Sequence, residues 1–93
     1  MSHKEHSHIM AGSAALAAVL MAQSLVKYPG NLPAGIELLN GLRETALDLS
    51  DGEGDAPIAA HLAQRAVEIL ASGGSPGVAR HYLARADWHS RTL

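Results

Sequence analysis

Apolar positions along this chain recur three and four residues apart, the repeat that lays them along one side of an α-helix. In residues 32–50, Ile36, Leu39, Leu42, Ala46 and Leu49 form such a stripe, while Glu37, Asn40, Gly41, Glu44 and Asp48 face away. In residues 56–72, Ile58, Leu62, Ala66, Ile69 and Leu70 fill one side, and His61, Gln64, Arg65, Glu68 and Ser72 fill the other. In residues 76–90, Ala79, Tyr82, Leu83 and Ala86 follow the same spacing. No run alternates β-branched and polar residues as a strand would, and no internal repeat is visible.

Three clusters of helix breakers separate these segments: Tyr28-Pro29-Gly30-Asn31, Asp51-Gly52-Glu53-Gly54-Asp55 and Gly73-Gly74-Ser75-Pro76. Pro33, Pro57 and Pro76 fall in the first turn of the segment that follows, where an N–H has no intrahelical partner to lose. Asn31, Asp55 and Ser75 stand where an N-cap oxygen is wanted, and Gly52 and Gly73 suit the left-handed residue that ends a helix. The pattern predicts an all-α protein with helices over 4–28, 32–50, 56–72 and 76–90. Loops this short favour antiparallel neighbours, as a compact four-helix bundle or as two stacked hairpins. The whole chain, 1–93, reads as a single helical domain, with a histidine-containing leader over 1–8.

The first helix differs from the rest. Between Ile9 and Ala22 only Gly12 and Ser13 are not hydrophobic, and no charge falls between Glu5 and Lys27. Ala11, Ala15, Ala18 and Ala22 share one stripe, where missing side-chain bulk lets a second helix approach closely. Leu16, Val19 and Leu20 lie beside it. This reads as a central helix covered by its own chain or by another molecule. A signal peptide fits less well, because the flank before Ile9 lacks positive bias and Leu20-Met21-Ala22 is a poor cleavage site. The 9–22 run is also shorter than the ~20 residues a membrane span requires. A cytoplasmic protein is expected, with no membrane partner.

Composition narrows the chemistry. The 93 residues hold no cysteine, which excludes disulfides, thiolate metal sites and thiol nucleophiles. With two tyrosines, one tryptophan and no phenylalanine, the core must be aliphatic and rich in alanine. The net charge of −2 speaks against bulk electrostatic binding of nucleic acid. Its distribution is more telling. Residues 32–55 set Glu37, Glu44, Asp48, Asp51, Glu53 and Asp55 against Arg43, a net −5. Residues 76–93 set Arg80, Arg85 and Arg91 against Asp87, a net +2. Trp88 lies in that basic segment beside Arg85, and Trp and Arg are residue types enriched at binding hot spots.

Catalytic and metal motifs do not assemble. His3, His6 and His8 lack the i, i+4 spacing that pairs imidazoles on one helix face, and the Met1-Ser2-His3 terminus would ligate copper or nickel only with Met1 retained. His81 and His89 have Arg85 between them, and His61 stands on an ordinary polar face. The acidic stretch 48–55 places Leu49 at a ligand position in either calcium-loop register. No nucleophile elbow occurs, and Gly73-Gly74-Ser75-Pro76-Gly77 follows a helix where a phosphate loop would follow a strand.

The expectation is therefore a small non-enzymatic interaction module, an adaptor, inhibitor or accessory subunit without metal or cofactor. It would bind a protein partner or a second copy through the apolar N-terminal helix. Its candidate contact residues are Ala11, Ala15, Ala18, Ala22, Arg80, Arg85 and Trp88. Two alternatives stand beside it: a histidine-based transition-metal binder, and a small DNA-binding regulator using the C-terminal helix, disfavoured by having three arginines there.

Overall fold

Proline, glycine and a few capping oxygens set the helix ends. In the computed structural model, which describes residues 3–92, α1 spans His3–Lys27, α2 Leu32–Ser50, α3 Asp55–Ala71 and α4 Pro76–Arg91. Asn31 Oδ1 accepts the Ala34 N–H at 3.3 Å at the start of α2, and Ser75 Oγ accepts the Gly77 N–H at 3.1 Å at the start of α4. Asp55 does not cap α3. The N-cap is Gly54, without a side-chain bond, and Asp55 lies inside the first turn. Helix α2 closes on Asp51, itself left-handed at φ 55°, with Gly52 following at φ 74°. After α3, Gly73 at φ 83° turns the chain so that the Gly74 N–H reaches the Ile69 carbonyl at 2.7 Å.

The described residues form an all-α four-helix bundle. Helices α1 and α3 each touch all three others, whereas α2 and α4 do not touch each other. The cross-section is thus a rhombus, with α1 and α3 on the short diagonal and α2 and α4 at the far corners. A short diagonal requires small side chains on both helices, and both supply them. Ala11, Ala14, Ala15, Ala18 and Ala22 of α1 and Ala56, Ala59, Ala60, Ala63 and Ala66 of α3 are all buried. Leu39, Val19 and Val67 are the largest side chains fully enclosed, and Tyr82 packs half-buried against the cluster. The core is aliphatic, as the composition requires.

Helix α3 turns differently from its expected face. Because it meets three neighbours, its buried arc is broad and takes in Ala59, Ala60, Ala63 and Val67, leaving Ile58 exposed. Gln64, expected on the polar side, is only 7% exposed. Its burial is matched by hydrogen bonds: Arg43 Nε donates to Gln64 Oε1 at 2.7 Å, and Arg43 Nη2 donates to Asn40 Oδ1 at 2.8 Å. This polar junction fixes α2 against α3.

Candidate partner-binding surface

The 25 residues of α1 span about 37 Å at 1.5 Å each, most of the molecule's 44 Å long axis. Its inward arc consists of Ala11, Ala14, Ala15, Ala18, Val19 and Ala22. Its outward arc is also apolar. Ile9 is 55% exposed, Leu16 47% and Leu20 57%, with Met10 and Ala17 exposed alongside them. The helix therefore buries mostly alanine, with Val19, and leaves Ile9, Leu16 and Leu20 largely in solvent. At roughly 2 kcal/mol of transfer free energy per fully buried leucine or isoleucine, these side chains are a large unspent driving force for association. Isolated exposed leucines are ordinary, but a contiguous row of them marks a contact surface.

The outward row continues into a crease between α1 and α4. Near the start of α1 an open groove of about 580 Å³ is lined by His8, Ile9, Gly12, Ser13 and Leu16, with Ser90 of α4 opposite. The Ser13 hydroxyl is turned back onto the Ile9 carbonyl at 3.2 Å, which reduces the polarity of the lining. Near the end of α1 a second hollow of about 440 Å³ is lined by Gln23, Val26 and Lys27 with Arg80 and Leu83. The start of α1 thus lies by the end of α4, and the two helices run antiparallel.

The residues singled out from the sequence separate into three places. Ala11, Ala15, Ala18 and Ala22 are at most 1% exposed and are covered by this chain's own helices, so no partner reaches them. The expectation that they meet a partner is corrected on that ground, since the short α1–α3 diagonal already uses the close approach that they permit. Arg80 is exposed in the crease beside Lys27. Arg85 and Trp88, three residues apart on α4, are exposed on its outer side, where the 62% exposed indole meets the His89 ring edge-on at 4.9 Å. The sequence reading did not single out Ile9, Leu16 and Leu20 as an exposed apolar row. Their signal was spacing: Leu16 and Leu20 stand seven and eleven residues after Ile9, on the same side of the helix.

The remaining polar features are structural. His89 Nδ1 lies 2.8 Å from Asp55 Oδ1 and joins the end of α4 to the start of α3. Hydrogen bonding from His89, and secondarily from Thr92, holds the Asp55 carboxyl below the usual carboxylate range. Among the described residues no three His, Asp or Glu side chains converge as a metal site would require. The Met1-Ser2-His3 chelate includes Met1 and Ser2, which lie outside the described residues. His6–Lys27, 22 residues, is long and apolar enough to cross a membrane by length and composition alone, a longer stretch than the 9–22 run suggests. A core helix passes the same test, and one face of α1 is core.

The fold and surface define a small all-helical bundle with one apolar helix face turned outward. No protein-family model, no curated protein and no solved structure matches the chain, so its class rests on its own geometry.

Proposed function

We propose that this chain is a non-enzymatic protein–protein interaction module that binds through the outward face of α1. The observation that carries this reading is the row Ile9, Leu16 and Leu20, left uncovered on a helix whose opposite face is fully packed. The acidic and basic flanks support it. Helix α2 and its following loop carry a net −4, α4 carries a net +2, and the two helices stand at opposite corners of the bundle. Such polarity orients an approaching partner and disfavours wrong ones more than it adds affinity.

A photo-crosslinking amino acid in place of Leu20, in the native host, tests the proposal. Protein adducts, of this chain or another, are expected from position 20 and not from position 44 on the acidic helix. Absence of any protein adduct at position 20 would refute it.

A further inference from the structure

We propose that the hollow between the end of α1 and the first turns of α4 binds a small organic carboxylate, a charged head on a compact apolar body. The site does not rest on the reading of the outward α1 face. Gln23, Val26 and Lys27 line it from α1, and Arg80 and Leu83 from α4, around about 440 Å³. The spacings 23, 26, 27 and 80, 83 are steps of three and four, so each helix turns one side toward the hollow. Leu83 is buried and Val26 half-buried, whereas Lys27 and Arg80 are exposed. The apolar lining is thus sheltered and the two cations stand on the solvent side.

The polar part of the lining consists of donors with no acceptor. Elsewhere the cations are engaged: Arg43 with Gln64 and Asn40, Arg65 with Glu68 at 3.8 Å, Arg91 with Asp87 at 2.8 Å. Among the described residues Lys27, Arg80 and Arg85 make no ion pair, and two of those three meet at this hollow. Lys27 has only the face of Tyr28, 5.5 Å from the ring centre. No Asp or Glu lines the hollow among the described residues. The acid of α4, Asp87, stands about 10 Å along the helix from Arg80 and is held by Arg91. Two like charges facing one space repel, and an anion between them turns that repulsion into attraction. A guanidinium takes a carboxylate through two parallel N–H bonds, the ammonium adds a second charge, and the half-buried Gln23 amide adds a neutral donor. Val26 and Leu83 favour an anion that carries carbon over a bare mineral ion.

The groove at the other end of the α1–α4 crease lacks this chemistry. Its hydroxyls are committed to backbone carbonyls, Ser13 to Ile9 and Ser90 to Asp87 at 2.7 Å, and it holds no lysine or arginine.

Octanoate is the probe, titrated into the full chain at low salt and followed by backbone amide chemical shifts. For a ligand of about ten non-hydrogen atoms on an open site, a millimolar dissociation constant is expected. Shifts should cluster at Gln23, Lys27, Arg80 and Leu83, and added salt should weaken them. Inorganic phosphate and octylammonium, which keep the anionic charge or the apolar body alone, should each bind several-fold more weakly. Lys27→Gln and Arg80→Gln change exposed side chains, so each should keep its helical circular dichroism and weaken octanoate about threefold to tenfold. Arg85→Gln removes the same charge from the outer side of α4 and should leave octanoate binding unchanged.

No saturation by about 50 mM octanoate would overturn the site. Equal binding of phosphate would remove the role of the apolar wall, and equal binding of octylammonium that of the cations; either overturns the proposal. Equal weakening by Arg85→Gln would reduce the effect to overall charge. Shifts confined to Ile9, Leu16 and Ser90 would place the ligand in the other groove and overturn the assignment to this one.

Discussion

His89 and Asp55 form a clasp between elements far apart in sequence. Its pH behaviour follows from the sign of the Asp55 shift. The folded carboxyl titrates below its unfolded value, so the clasp contributes fully above about pH 4, the ordinary range of an aspartate, and is lost as pH falls through the folded pKa. Asp55→Asn should lower the melting temperature at pH 7 and flatten the acid limb of the stability curve below pH 4. An unchanged acid limb in thermal melts would show that the clasp is not coupled to folding. The Gln64 junction is the buried counterpart. Gln64→Ala leaves the half-buried Arg43 guanidinium with Asn40 alone, and urea denaturation should register a loss of about 1 kcal/mol. Neither contact was legible in the sequence. Asp55 looks like a cap because an acidic residue precedes an apolar run. Gln64 looks exposed because its spacing fits the polar face. Both are redirected by tertiary neighbours, His89 from 34 residues away and Arg43 from 21.

At the scale of the helix, a residue's place on the arc of α1 decides its burial more than its type does. Ala15 and Ala17 illustrate this: the same residue type, two positions apart, one fully buried and one exposed. Ala15→Leu should overpack the α1–α3 diagonal and cost about 1–3 kcal/mol, while Ala17→Leu should leave monomer stability within about 0.5 kcal/mol. Chemical denaturation of the pair measures the difference, and equal effects would mean that the alanine stripe is not close-packed. Helix boundaries were legible to within about one residue, because Pro33, Pro76, Asn31, Ser75, Gly52 and Gly73 act through local backbone chemistry. The facing of α1 was not. A helix apolar on every side carries no polar stripe to show which way it turns, so the alanines were expected to meet a partner when they meet α3.

For the whole molecule, association and stability become one quantity if the outward α1 face is covered by a second copy. A dimer favoured over the monomer raises its melting temperature with protein concentration, by mass action. In that case a thermal series over a hundredfold range of concentration shows the rise for the native chain and a flat response for Leu16→Glu. A flat response from both would place the folding free energy entirely within one chain.

The position of α1 on the short diagonal has a consequence for biosynthesis. A chain made from its N-terminal end completes α1 at residue 27, but the last residue of α3, its diagonal neighbour, comes at residue 71. At ribosomal rates of ~5–20 residues per second, the most water-averse helix waits about 2–9 s for that shelter. During this interval its alanine and leucine faces are both bare. The nascent chain is thus at its stickiest before α3 has emerged, and holdase chaperones that shield emerging apolar segments should affect its yield more than those that act on finished chains.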